Sequence, residues 1–469
     1  MLFNSLSFAI FLAAALIFYY GVSPARRKSA LFIISYVFYG LWNIPYLLLL
    51  IVATAVAFIS GTAIQAGRSE REKKRALIFS IACLLGSLVI FKYAGILGAL
   101  SHVAGFDRLL VPLGISYYTF KLVGYVVDVY WEKIRAEKDF VAFGLYAAFF
   151  AQILSGPIQR ADDFLSQVKR PIQNDPERIV SGLRLMLFGF FKKFVIADSL
   201  ALIVDQVYAD PLSYNSPSVV LACYAFVFQL YADFSGFTDI AIGTGRLFGI
   251  DSPPNFNMPF YSKNLQVFWR RWHMTLTQWL ADYVFMPLRM HFRAWGAWGI
   301  AVAITVNFVA IGIWHGATGP FLVFGLLHAG YMCVSVFTLS QRDVFFERRP
   351  VWTWWRKFWA PVITLHLWTF SEIFFRADTL ARAGEILKAI LDFNFTKLWP
   401  VHYGKASLLA LGVSIVVMEA VHWAKAKGYL AAFFQHKPLV LRWAVYYAFI
   451  LVILIFRRQG SEEFIYFQF

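Results

Sequence analysis

Two histidines stand where an apolar chain has no obvious structural need of a base. His315 belongs to IWHG, 313–316, where the apolar run WGIAVAITVNFVAIGI ends and the chain turns through Ala317-Thr318-Gly319-Pro320. An imidazole moves a proton near neutral pH, and glycines beside it let backbone or substrate come close. That suits a general base; a histidine capping a helix C-terminus, favoured by the dipole, fits the same spacing. The second, His273, sits in NLQVFWRRWHMTLTQWLADYVFMPL, 264–288. Read as one helix, this stretch puts Trp269, His273 and Thr277 on one face at i, i+4 and i+8, with Trp272 and Trp279 beside them and Arg270 and Arg271 pointing elsewhere. The pattern predicts an amphipathic or re-entrant segment lining a polar cavity, in which His273 orients a substrate or helps a base and the arginines meet phosphate or carboxylate. An interfacial helix with an aromatic belt and snorkelling arginines is the alternative.

Other polar groups at membrane depth are functional candidates for the same reason. His328, in FGLLHAG, lies roughly 12 Å along its helix from the start, where it faces His315 or hydrogen-bonds a neighbouring helix. Asp233 and Asp239, in YADFSGFTDIAIG, have as expected partners Arg270, Arg271 or a histidine, with Asp239 read as structural. Lys192 and Lys193, in FGFFKKFVIAD, fit snorkelling as well as binding. The sequence has no G-x-S-x-G elbow, Walker loop, H-E-x-x-H or CxxC pair, so any chemistry rests on the intramembrane histidines. Three separated cysteines, Cys83, Cys223 and Cys333, make neither a disulfide framework nor a metal site.

The elements that must carry these residues are membrane helices. Hydrophobic residues are 59% of the chain and charged residues 15%, well below the roughly 25% charged of a soluble domain. About ten to twelve apolar segments have spanning or near-spanning length: 6–22, 45–66, 76–95, 111–131, 140–157, 183–205, 218–235, 297–315, 321–338, 358–375, 406–423 and 438–456. The expected fold is an all-α polytopic membrane protein, a single membrane domain over 1–469 with an aromatic tail at 459–469.

Charge placement orients it. The segment 6–22 lacks a basic flank before it and reads as a retained helix. The first basic cluster, Arg26-Arg27-Lys28, follows it, and RSEREKKR, 68–75, follows the expected hairpin 31–66; both read as cytoplasmic, with the N-terminus outside. The net charge of +16 sits mostly in short loops and needs no nucleic acid to explain it, although it also favours anionic membrane lipid. Lys425, Lys427, Lys437 and Arg442 before the last apolar segment, against Arg457 and Arg458 after it, place the terminal FIYFQF outside.

Taken in order, SGPIQR (155–160), YADFSGFTDIAIG, PPNFNMPF, FWRRWHMTLTQWLADYVFMPL, IWHG, FGLLHAG and EIFFRADTLARA (372–383) resemble the membrane-bound O-acyltransferases, nearest to the alginate O-acetylase-like branch. The resemblance implies a helical funnel, with re-entrant helices, in which a cytoplasmic thioester, of coenzyme A or an acyl carrier protein, meets an extracytoplasmic acceptor. It implies no tightly bound cofactor, a bacterial inner-membrane location, and a partner acyl- or acetyltransferase acting on a polysaccharide outside. The family's WHG histidine falls on His315 and its RWH histidine on His273, with Trp269, Arg270, Arg271, Trp272, Asp233, Trp314 and His328 in supporting or substrate-binding positions. FIYFQF resembles an aromatic C-terminal motif whose tyrosine relays the acyl group, here Tyr466; an aromatic anchor fits its rings as well. Where alginate acetylases continue into a glycine-rich loop, this chain reads MPLRMHFRAWG, and its HMTL…VFM phrase resembles the D-alanine transfer proteins of the same superfamily. D-alanyl transfer is therefore the alternative acyl chemistry. A transporter with a His/Asp proton relay, or a non-catalytic export subunit, is the alternative from another class.

Overall fold

In hydrocarbon every backbone polar group must find its partner within the segment, and the apolar stretches accordingly fold as helices. The computed structural model describes residues 3–101, 109–171, 173–399 and 405–457. Among these residues there is no strand, only an isolated bridge between Tyr214 and Leu398. Seven helices there are long and apolar enough to cross a membrane: Ile44–Ala66, Glu70–Lys92, Ser216–Leu247, Ala297–His315, Gly319–Thr338, Ser407–Ala426 and Leu439–Phe456. Two compact units emerge, Met1–Met186 with Phe237–Pro254, and Leu187–Gly236 with Asn255–Phe469.

The first unit contains α1 (Leu6–Gly21), α2 (Arg27–Gly40), α3 (Ile44–Ala66), α4 (Glu70–Lys92), α5 (Ala94–Ser101), α6 (Ile115–Tyr130), α7 (Phe140–Ala148), α8 (Phe150–Ile153), α9 (Ala161–Val168) and most of α10 (Pro176–Phe191). Ion pairs fasten its basic loops to one side: Lys28 to Asp139, Lys73 to Glu132 at 3.0 Å, and Lys169 to Glu137 at 2.7 Å. Burial pushes the Glu137 carboxyl up, but Lys169 and the backbone N–H groups of Asp139 and Lys138 outweigh it and hold the acid below its ordinary value. The stretch 140–157 is not one continuous helix: α7 leaves from Asp139 and ends at Ala148, α8 follows, and after α9 the chain is back at Lys169, paired with Glu137.

The second unit contains α11 (Asp198–Ala209), α13 (Leu265–Trp269), α14 (Met274–Leu280), α15 (Met286–His291), α16 (Ala297–His315), α17 (Gly319–Glu347), α18 (Pro350–Arg376), α19 (Leu380–Leu391), α20 (Lys405–Ala426), α21 (Tyr429–His436) and α22 (Leu439–Phe456). The division between units falls within α10 and within α12 (Ser216–Leu247). Helices α16 and α17 form a hairpin as tight as backbones allow. A Cβ on Gly312 would stand 2.4 Å from the Phe321 carbonyl oxygen, and one on Gly325 2.5 Å from that of Phe308. That contact fixes the turn in which His315 ends its helix.

Candidate active site

His315 closes α16 and is 6% exposed. Its ring meets Phe375 of α18 edge-on at 4.7 Å and lies 6.1 Å from both Phe321 and Phe324. Gly316, which follows, has no room for a side chain, because a Cβ would meet the Phe321 ring at 2.5 Å. The WHG sequence thus sets an imidazole into an aromatic socket, with the backbone turning away directly behind it.

His273 departs from the expected helical face. The stretch is not one helix: α13 stops at Trp269, residues 270–273 turn, and α14 starts at Met274, with His273 itself left-handed at φ 39°. Trp269, His273 and Thr277 therefore do not form an i, i+4, i+8 stripe. The cause lies in the PPNFNMPF loop, which clamps the turn from the side. Asn255 accepts from the Met274 backbone N–H at 2.8 Å through its carbonyl and from the Thr275 hydroxyl at 2.6 Å through its side chain, while the Asn257 N–H donates to the Arg271 carbonyl at 3.0 Å. A non-glycine residue in this conformation costs roughly 1–2 kcal/mol. Strain of that kind collects at functional sites. The His273 ring is 2% exposed, packs on Phe234 at 4.7 Å, and has no hydrogen-bond partner at Nε2 among the described residues. Trp314 is the shared neighbour of both histidines, stacked 6.3 Å from His273 and tilted 4.6 Å from His315.

His328 is fully enclosed and differently engaged. The Trp269 indole N–H points to its Nδ1 at 3.4 Å, and its Nε2 lies 3.0 Å from the Ser371 hydroxyl of α18. Ser371 in turn donates to the Trp368 carbonyl at 2.8 Å. Of the two sequence readings, the one in which His328 hydrogen-bonds its neighbours matches this geometry. Trp269 and Trp368 each pack 5.2 Å from the His328 ring, and Trp368 in turn meets Phe268 and Trp272.

The charged candidates pair otherwise than expected. Asp233 pairs with a lysine: the Lys193 ammonium lies 2.8 Å from it and 2.9 Å from Asp198. Lys192 donates to Ser235 at 3.0 Å, and both lysines are 1% exposed, so neither snorkels. A wide π-turn over Lys192–Ala197 admits the extra residue that lets both face inward, and such turns recur at functional sites. Arg270 is exposed, and Arg271 donates to the Met258 carbonyl at 3.5 Å. Tyr466 lies outside the described residues, which end at Arg457, whose guanidinium stands 5.6 Å over the Phe194 ring.

Sequence reasoning missed a polar chain in the first unit. Lys121, 4% exposed, donates to Gln152 at 2.9 Å; Gln152 donates to Gln159 at 2.6 Å, and Gln159 to Asp163 at 2.6 Å. Its signal was present in the glutamines of AQIL and SGPIQR, within an otherwise apolar stretch.

A sequence model of the membrane-bound O-acyltransferase family matches residues 31–377. The chain belongs to that family. This acyltransferase is 30% identical over 431 residues to the probable alginate O-acetylase of Pseudomonas aeruginosa, covering 89% of this chain and 80% of that one. It is 29% identical over 412 residues to the peptidoglycan O-acetyltransferase of Helicobacter pylori, covering 80% and 76% respectively. The teichoic acid D-alanyltransferase of Bacillus subtilis is 31% identical over 284 residues, 57% of this chain and 69% of its own. The protein is thus a multi-pass membrane enzyme that transfers acyl groups to hydroxyls, and the transporter and export-subunit alternatives fall away.

Proposed function

We propose that this acyltransferase moves an acetyl group from a cytoplasmic thioester to hydroxyls of an extracytoplasmic polysaccharide, with His315 as the general base and His273 positioning or polarising the reacting carbonyl. The observation that carries the reading is the His315 socket: a buried imidazole at a helix end, walled by Phe321, Phe324 and Phe375, with glycine immediately behind it. Acyl transfer needs a base, a carbonyl polariser and exclusion of water, and this setting supplies the first and the last. The acetylases of alginate and peptidoglycan among the relatives support the acyl group and the acceptor class.

Tyr466 serves in this reading as the first acceptor. A phenol ionises at about pH 10 and an imidazole at about 6.5, a mismatch of roughly 5 kcal/mol that hydrogen bonding and concerted attack must cover. A sugar hydroxyl is a weaker acid still, so a tyrosyl ester eases the step. From Arg457 the chain reaches Tyr466 in nine residues, at most about 30 Å extended. The experiment is acylation of the surface polymer in cells carrying Tyr466→Phe or His315→Ala. Unchanged acylation in Tyr466→Phe defeats the relay and leaves an aromatic anchor; turnover retained in folded His315→Ala defeats the base assignment. D-alanyl transfer is the second reading, favoured by the Bacillus subtilis relative. Mass spectrometry of the modified polymer separates an acetyl from an alanyl ester.

A further inference from the structure

Helix α18 carries a buried acid that the roles above leave unused. Glu372, first residue of EIFFRADTLARA, is 1% exposed, and neither of its carboxyl oxygens has a hydrogen-bond partner among the described residues. Arg376, one turn onward, is committed to Asp205 at 2.6 Å and reaches Asp378 at 3.9 Å. Burying a polar group without a partner destabilises a fold, so a bare carboxyl marks a place whose partner comes from outside it.

The position of Glu372 indicates which partner. Residues four and three apart share a helix face, so Trp368, Glu372 and Phe375 form one stripe. Trp368 packs 5.2 Å from the His328 ring, and Phe375 packs 4.7 Å from the His315 ring. Glu372 therefore lies about 4.5 Å along the axis from the residue that touches His315. From Phe375 it lies one turn toward the N-terminal end of α18, where Arg356 and Lys357, with Arg348 and Arg349 just before the helix, make that end the cytoplasmic one by the positive-inside rule. A donor arriving from that side passes Glu372 before it meets His315.

We propose that Glu372 accepts a hydrogen bond from an amide N–H in the arm of the thioester donor, an assignment that rests on the reading of His315 as the base acting on a thioester. Coenzyme A and carrier-protein thioesters share an arm in which two methylenes separate the sulfur from an amide nitrogen. Those three single bonds span about 4 Å, close to the axial offset between Glu372 and the His315 contact. With the thioester at His315, the amide falls beside Glu372, and one hydrogen bond fixes the donor's register. A carboxyl oxygen accepts this bond in either protonation state.

The test compares two acetyl donors on the purified full-length enzyme, with acceptor polysaccharide present and thiol release as the readout. The acetyl thioester of N-acetylcysteamine keeps the amide; the acetyl thioester of butanethiol lacks it. The wild-type enzyme should favour the first in kcat/KM by roughly 10- to 100-fold. Glu372→Leu should erase that preference by lowering only the first value, while Glu372→Gln, whose amide oxygen still accepts, should keep most of it. The thermal midpoint of Glu372→Leu should hold or rise, since an apolar side chain replaces an unpartnered carboxyl. An undiminished preference in Glu372→Leu overturns the assignment. So does loss of folded protein in both variants, which would make the residue structural. Absence of turnover by the wild-type enzyme with either thioester overturns the donor reading beneath it.

Discussion

His328 and His273 are both buried in the second unit, yet their surroundings differ in kind. His328 sits inside regular helix, with a partner at each ring nitrogen, Trp269 on one and Ser371 on the other. His273 sits at a break between helices, in a left-handed backbone that histidine adopts at a cost, and its Nε2 has no partner among the described residues. A satisfied buried histidine holds helices together, and its removal is felt in folding. One held strained with an open nitrogen is arranged for something the fold does not contain, and its removal is felt in turnover. Lys193, gripped by Asp198 and Asp233, belongs with His328 on the satisfied side.

The largest effect expected is that of His315→Ala. Loss of a general base should lower transfer by roughly 10²- to 10⁴-fold while folded protein is still recovered. In-cell acylation beside gel filtration in detergent reads both quantities. If the variant loses its fold and not its rate, the aromatic socket belongs with the structural histidine, and the contrast collapses. Next comes Lys193→Met, which leaves two buried acids without their cation and should cost about 3–5 kcal/mol of stability. Thermal unfolding measures it; a stable Lys193→Met protein that no longer turns over would move the cluster into the catalytic machinery.

Much of this was legible in the sequence, for one physical reason. Spanning helices follow from runs of apolar residues, so 297–315 and 438–456 came out within a residue of Ala297–His315 and Leu439–Phe456. His315 was legible too, because helix end, histidine and glycine are adjacent in the chain. His273 was legible as a residue but not as a geometry. WRRWHMTLTQW has no breaker, and the turn is imposed by Asn255 and Asn257, some sixteen to eighteen positions upstream. The lysine cluster failed likewise: Lys193 and Asp233 are forty positions apart, and a π-turn follows from no local composition.

His328→Phe probes the satisfied side at smaller scale. It keeps a ring of similar shape and deprives the Trp269 N–H and Ser371 of a partner, which should cost about 1–3 kcal/mol. The kcat per folded molecule should stay within a few-fold of wild type. A hundredfold fall in kcat with stability intact would place His328 beside His273 and erase the distinction.

The smallest effect is the most discriminating. His273→Ala and His273→Gly delete the same imidazole, so both should lower kcat by roughly 10²-fold through loss of the role proposed for it at the carbonyl. They differ in the backbone, because alanine must be forced into the left-handed region that glycine enters freely. The glycine variant should therefore be the more stable by about 1 kcal/mol, a difference that thermal unfolding of the two proteins side by side resolves. Equal stability would mean that the Asn255 and Asn257 clamp does not hold residue 273 left-handed. Full activity in either variant would mean that the strain serves the turn alone, and His273 would then join His328 as a residue of the fold.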